Sequence, residues 1–340
     1  MKTRFILPLF LLTAALIFSS CVKEGPEGLA GTDGQDGADG QDGNVTCLAC
    51  HSGTALAEKQ IQYAASIHKA GTNVAYAGGR ASCAECHSSE GYIEMHTMGS
   101  VAANIESPSA ITCNTCHMIH TDFEYTDYAL RGNEPVALKY DPSNVLDLGD
   151  GSNVCLNCHQ SRTAEPNLAK PGEATFSITS THYGPHHGPQ GNLFDGNGFA
   201  EVAGPVAYPV AGSSPHREQA SCITCHMGEY ADGEGDHTWK ASVASCNDCH
   251  STEDFNYGGI QTLTQLRLDE LRDILVDLGV IEWVEADASY EPVVGTYPMV
   301  QAQAYFNWIG ITEDRSLGVH NPKYVNALLT NTIEALQPAK

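Results

Sequence analysis

Positive charge is scarce in this chain: 17 Lys+Arg stand against 41 Asp+Glu, a formal net charge of −24 over 340 residues. A surface of that sign lacks the basic footprint that nucleic-acid phosphates require, and it does not adsorb electrostatically to anionic lipid. Long apolar runs are missing too. The longest, Phe5 to Phe18, is interrupted by Pro8 and Thr13 and falls short of the roughly 20 residues a spanning helix needs. From Val45 to about Ser251 there is little sustained periodicity, while Gly and Pro are plentiful. That stretch reads as short helical pieces, one of them around Leu56–His68, joined by irregular loops. It cannot assemble a large side-chain core, so something else must supply apolar mass.

The N-terminus is built for export. Lys2 and Arg4 precede the apolar run, and the small residues Ser19 and Ser20 precede Cys21. Leu16-Ile17-Phe18-Ser19-Ser20-Cys21 resembles a bacterial lipoprotein box, with Phe18 in place of the usual aliphatic residue. The resemblance implies that residues 1–20 are a signal peptide and that Cys21 is acylated, anchoring the protein to a membrane, the outer one, without spanning it. Cys21-Val22-Lys23-Glu24 also resembles surface-export signals of some lipoproteins, so the periplasmic face and the cell surface both stay open. From Gly25 to Gly43 every third residue is glycine, the period of collagen. Pro26 is its only proline, however, and an acidic stalk within residues 21–46 fits better than a trimer held by so short a repeat.

One pentapeptide pattern then occurs six times: Cys47-x-x-Cys50-His51, Cys83-x-x-Cys86-His87, Cys113-x-x-Cys116-His117, Cys155-x-x-Cys158-His159, Cys222-x-x-Cys225-His226 and Cys246-x-x-Cys249-His250. This is the attachment motif of c-type haem: the two thiols form thioethers to the vinyl groups, and the adjacent imidazole becomes the proximal iron ligand. C-x-x-C also serves zinc and thiol redox chemistry. A zinc site would need motifs acting in pairs and leaves six regularly placed histidines without a role. The six motifs consume twelve of thirteen cysteines, and the last is Cys21, so none remains for a disulfide. Six covalently bound haems along residues 47–255 would supply the missing apolar mass, and at that density they must lie close together.

Each iron needs a sixth ligand. Fifteen histidines less six proximal ones leave His68, His96, His120, His182, His186, His187, His216, His237 and His320. Three of these fall in THYGPHHGPQ, residues 181–190, where Gly184, Pro185, Gly188 and Pro189 impose a loop. The other six would suffice by count alone, leaving the loop free for chemistry on a substrate. His117 and His120 are three apart, so a helix there would bring them to one side. His320 precedes Asn321-Pro322, a helix-start pair. Met95, Met98, Met118 and Met227 are alternative ligands, less favoured while histidine is in surplus.

The motifs and their flanks, Ser66-Ile67-His68, Cys116-His117-Met118-Ile119-His120, Cys158-His159-Gln160-Ser161-Arg162, Gly184-Pro185-His186-His187-Gly188, Ser214-Pro215-His216, Gly235-Asp236-His237-Thr238 and Gly318-Val319-His320-Asn321-Pro322, resemble the multihaem cytochromes c of respiratory and extracellular electron transfer. The resemblance implies a mainly α and irregular fold with a haem-stacked core, few or no strands and a helical C-terminal part. It implies distal ligands at His68, His120, His216, His237, His320 and one loop histidine, His186 or His187 ahead of His182. His96 has no counterpart and is spare. Bis-histidine ligation implies low-spin haems of lower potential than His/Met ligation. Arg162, Arg217 and Lys240 are candidates to pair with propionates. Asp232, Glu234 and Asp236 alternate with glycine like a calcium loop, but Val243 stands where its glutamate belongs, and a solvated turn is the expectation.

Residues 256–340 read differently. Leu263, Leu268, Leu271, Ile274, Leu275 and Leu278 form a stripe ended by Gly279. A second helix is expected near Ala302–Ile309, and a third after Asn321-Pro322, with Val325, Leu328, Leu329, Ile333 and Leu336 on one side. These helices should pack on the haem domain.

The function expected is electron transfer by a membrane-anchored hexahaem protein, between respiratory redox proteins or to an external acceptor. Self-association into a polymeric wire belongs to the same reading. The acidic surface suits basic partners or metal cations. The alternative is a reductase of nitrite, hydroxylamine or a sulfur oxyanion with one open haem, Tyr183 and a loop histidine acting as proton donors. No C-x-x-C-K motif occurs to mark such a haem.

Overall fold

The computed structural model describes residues 51, 53–118, 128–229 and 234–337. The chain divides into two units, Met1–Gly43 and Asn44–Lys340, and every described residue lies in the second. Four expectations fall outside the described residues: the export segment with Cys21, the glycine-rich stretch, the thiols Cys47 and Cys50, and His120.

The architecture is mainly helical and irregular, with a few short strands in antiparallel pairs. Five of the six cysteine motifs can be followed, and each forms or enters a short helical turn: Ala81–His87, Cys113–Cys116, Asn153–Leu156, Cys222–His226 and Val243–Cys246. Local chemistry starts two of them. Thr112 and Ser221 exchange hydrogen bonds with Thr115 and Thr224, giving reciprocal capping boxes. The helix at Cys113–Cys116 stops there, because His117 is extended (φ −109°, ψ 128°). The helix on which the expected juxtaposition of His117 and His120 depends has thus ended before His117, and His120 lies outside the described residues. The helix expected over Leu56–His68 is also broken. It runs Ala55–Ala64, and Ser66, extended at ψ 156°, starts a new turn, Ile67–Ala70, by accepting from the Lys69 amide at 3.1 Å.

The helix Ala81–His87 packs directly on Ser89–Met98, which Ser88 caps. Gly91 permits the contact: a Cβ there would lie 2.4 Å from the Ala84 backbone carbonyl. Backbone cannot move aside as a side chain can, so Gly91→Ala is expected to cost about 1–3 kcal/mol. Denaturant midpoints of the two proteins test this, and an unchanged midpoint would remove Gly91 from the account.

Three long helices close the chain: Ile260–Asp277, Met299–Asp314 and Pro322–Leu336. The first buries Thr264, Leu268, Leu271 and Leu275 but leaves Leu263 and Leu278 exposed, so its stripe is narrower than expected. Gly279 adopts φ +67° just past its end, and Asn321 caps the third helix through the Tyr324 amide. The middle helix outruns Ala302–Ile309 at both ends. It is buried on several sides, through Ala302, Ala304, Tyr305, Phe306, Trp308 and Ile311 among others, so it shows no one-sided pattern to read.

These helices gather a core that takes Ile178, Leu193 and Phe199 from the motif-bearing region. A second cluster of Val136, Leu138, Leu146, Leu148, Leu156 and Phe194 lies wholly within that region. The expectation that residues 45–251 bury little of their own apolar surface is thus too strong. Two buried amides stitch the parts together. Asn307 accepts from the Ala200 amide at 2.9 Å and donates to the Ala200 carbonyl at 2.8 Å, and Asn331 grips Val206 the same way. The strand Thr175–Ile178 pairs with Gly295–Pro298. Among the described residues no helix is long and apolar enough to cross a membrane.

Candidate metal centres

Histidine side chains meet in pairs. His68 faces His159 with ring centroids 6.3 Å apart, His87 faces His186 at 6.1 Å, and His117 faces His237 at 6.1 Å. His216 faces His250 at 6.3 Å, and His226 faces His320 at 6.4 Å. Each of these five pairs joins one histidine of a cysteine motif to one outside the motifs, while His186 also lies 5.4 Å from its chain neighbour His187. Edge-to-face ring contacts span this range, but the narrow spread of 6.1–6.4 Å also matches a shared metal. Two metal–nitrogen bonds of about 2 Å each, with roughly 1 Å from each nitrogen to its ring centre, would put the rings of two imidazoles on one metal a little over 6 Å apart. The donor set would therefore suit a haem iron, with two imidazoles and the thiols of the same motif to hold the group.

Ring orientation agrees. A metal-binding imidazole usually gives its second nitrogen to a carbonyl or carboxylate, which fixes the tautomer and aims the other nitrogen at the metal. Six of the ten paired rings do so through Nδ1. Carbonyls accept from His117 (Tyr128, 2.9 Å), His216 (Val319, 2.8 Å) and His226 (Trp239, 3.0 Å). The side-chain oxygen of Gln190 takes His159 at 3.0 Å. Carboxylates take His237 (Asp236, 2.6 Å) and His320 (Asp314, 2.6 Å). Burial pushes His68 down to about 4, with His159 adding to the effect. His186 falls to about 4 through burial and the Arg162 charge, and burial also lowers His87, His117, His159 and His226. These rings are neutral at pH 7, the state that binds metal. His320 goes the other way: burial disfavours its charge, but the Asp314 carboxylate outweighs it.

The loop at 181–190 presents one ring inward. His186 holds φ +75°, rare for a residue with a Cβ, and meets His87. His187, the alternative, turns to Glu313 at 2.5 Å, and His182 is exposed. Tyr183 packs between Phe176, Tyr305 and Phe306, and burial raises its hydroxyl well above the ordinary phenol range. That suits a core residue better than a proton donor. His96 lies against Tyr92 (4.4 Å) beside a cleft of about 600 Å³, and it joins no histidine pair among the described residues.

The motifs also approach one another. The Cys86 and Cys158 thiols lie close enough to perturb each other's ionisation, as do those of Cys155 and Cys222. Among the described residues no three His, Cys, Asp or Glu side chains converge as a closed zinc cage would require. Trp239, at φ +54°, sits where three pairs come together. Its ring lies 4.6 Å from His68 and 5.4 Å from His237, while its carbonyl takes His226.

Of the basic residues considered for propionates, Arg217 pairs with Asp195 and Lys240 with Glu234, while Arg162 stays exposed beside the His87 and His186 pair. The turn at Asp236 is not solvated. Its buried carboxylate binds both His237 and Lys59. Sequence reasoning missed Trp239, Gln190, Asp236 and Asp314 as ligand supports. Only Asp236, next to His237, carried a local signal.

No family model matches the chain, and no curated protein does. Among solved structures it is similar to that described as "Crystal Structure of Outer Cell Wall Cytochrome OcwA", with a TM-score of 0.54 and 18% identity, covering 82% of this chain and 50% of that one. The chain thus spans half the length of that cytochrome, and with its short helical turns, irregular connections and few strands it has a cytochrome-like fold.

Proposed function

We propose that this chain is an electron-transfer protein carrying six c-type haems, one on each cysteine motif, with two histidines on each iron. The observation that carries the reading is the set of five cross-pairings, each between a motif histidine and an outside one at 6.1–6.4 Å. In this reading the distal ligands are His159's partner His68, His87's partner His186, His117's partner His237, His250's partner His216 and His226's partner His320. His51 then takes His120, the last of the resemblance-derived set. The haem iron supplies one-electron chemistry by cycling between ferric and ferrous states.

The protein's part is to hold ligands and bring sites close. Close thiols between the second and fourth motifs and between the fourth and fifth support a relay in which those sites adjoin, with Trp239 at the meeting of three pairs. Two imidazoles on each iron would leave no place for a substrate there, and the burial of Tyr183 and the ion pairing of His187 weigh against a reductase pocket at the 181–190 loop. The export signal and Cys21 anchor expected from the sequence, and the outer cell wall named for the structural neighbour, support placement in the cell envelope, where exchange would be with basic redox proteins or an external acceptor.

Purified holoprotein is expected to contain six haems per chain by pyridine haemochrome, all low-spin by electron paramagnetic resonance. The ring planes of three pairs cross at 74–86° and those of two at 31° and 46°, so both strongly anisotropic and ordinary rhombic signals are expected. A stoichiometric high-spin ferric component, or rapid binding of cyanide or nitrite, would sink the pure-carrier reading.

A further inference from the structure

The supports of the paired histidines differ in charge. His117, His216 and His226 give Nδ1 to neutral carbonyls and His159 gives it to an amide oxygen, whereas His237 and His320 give it to carboxylates. The two carboxylates are not equivalent. Asp236 shares its charge with Lys59, which pairs with its second oxygen. Asp314 has no cation on it among the described ion pairs, and its second oxygen accepts only from the amide and hydroxyl of Ser316. Its side chain is 0% exposed, so water does not screen the charge either.

A charge held in low dielectric acts strongly on its neighbours. A carboxylate on the far nitrogen of an axial imidazole also draws the Nδ1 proton toward itself, giving the ring imidazolate character and raising its donation to the metal. Both effects stabilise ferric over ferrous iron. Hydrogen bonding around the ligands and burial are recognised levers on haem potential.

We infer that Asp314, through His320, gives the iron site of His226 and His320 the lowest reduction potential of the described pairs. The inference rests on the bis-histidine haem reading above. A one-electron donor, an adjoining ferrous haem or the chemical titrant, would be oxidised by one electron as this site is reduced, with no bond broken and the Nδ1 proton kept between His320 and Asp314. His216 serves as an internal comparison. Its Nδ1 is taken by the carbonyl of Val319, one residue from His320, so two adjoining sites differ in the charge of the acceptor. Asp314 is a positioning residue: it acts through His320 and touches no metal.

The test is potentiometric titration of wild-type, Asp314→Asn and Asp236→Asn holoprotein, followed by optical and electron paramagnetic resonance spectra. Asparagine keeps an oxygen for His320 and removes the charge. In Asp314→Asn one haem component should become easier to reduce by at least tenfold in its ferrous-to-ferric ratio at fixed potential, about 59 mV for a one-electron couple. The other five should hold still. Asp236→Asn should shift its own component less, since Lys59 already offsets that charge. No shift in Asp314→Asn, a uniform shift of all components, or a larger effect from Asp236→Asn would each overturn the inference.

Should Asp314→Asn fail to yield holoprotein, the wild type decides. Its last haem to be reduced should show the compressed g-anisotropy of an imidazolate-like ligand, and an ordinary bis-imidazole signal there counts against Asp314. High-spin or His/Met haems in the wild type would instead bring down the ligation reading. Six bis-histidine haems with a silent Asp314→Asn would bring down this inference alone.

Discussion

Replacing His186 by glycine should convert one of six haems from low-spin to high-spin, while His187→Ala should leave all six low-spin. The two residues are adjacent in a loop of similar composition, yet their surroundings differ. His186 meets the motif histidine His87 at 6.1 Å, and burial holds it neutral. His187 is exposed and committed to Glu313 at 2.5 Å. Glycine is the informative substitution because His186 sits at φ +75°. A non-glycine residue held there costs about 1–3 kcal/mol, so His186→Gly removes the imidazole while relaxing the backbone. The altered haem should bind carbon monoxide when reduced, with about one sixth of the Soret absorbance shifting, whereas His187→Ala should bind none. A high-spin haem in His187→Ala but not in His186→Gly would reverse the assignment.

Asn307→Ala should cost about 2–4 kcal/mol, a large effect for a residue far from any cysteine motif in sequence. Its amide is fully buried and makes three hydrogen bonds, two to the backbone of Ala200 and one from Nδ2 to the Thr332 hydroxyl at 3.0 Å. Alanine leaves the buried Ala200 N–H without a partner, at about 1–3 kcal/mol, takes from the Ala200 carbonyl one of its two donors, the Val202 amide at 2.9 Å remaining, and opens a small void besides. Asn307 fastens the loop after Phe199 to the C-terminal helices, so the loss should appear as earlier denaturant unfolding of the whole holoprotein. Spectra at zero denaturant should be unchanged, because no iron ligand touches Asn307. A loss below about 1 kcal/mol would mean that the loop is held by other contacts.

Local chemistry was readable wherever it depends on neighbours in the chain. Five residues or fewer suffice to define a cysteine motif, to cap a helix at Asn321 or to bend a loop with Gly184 and Pro185. Long-range pairing was not readable. His68 precedes the second motif but faces the fourth, and His186 follows the fourth but faces the second. No spacing rule connects them, because the chain crosses back on itself between. The helix Met299–Asp314 was under-read for a related reason: burial on several sides erases the polar face by which amphipathic helices are recognised. The idea of a region without its own core failed at Val136, Leu138, Leu146, Leu148, Leu156 and Phe194, which gather from segments remote in the chain and so leave no local period to read.

Composition and motif spacing by themselves determined the chemistry available: six C-x-x-C-H sites, histidines to spare, a single cysteine, Cys21, outside the motifs and an acidic balance of charge. Those properties are covalent or additive, and folding does not alter them. Which histidine answers which motif, which loop histidine turns inward, and which ligand leans on an uncompensated carboxylate were decided only by tertiary structure. Each depends on a distance of a few ångströms between residues remote in sequence. His320 and Asp314 illustrate it: six positions apart and unremarkable in the chain, they meet at 2.6 Å because a helix end and the following turn fold back together.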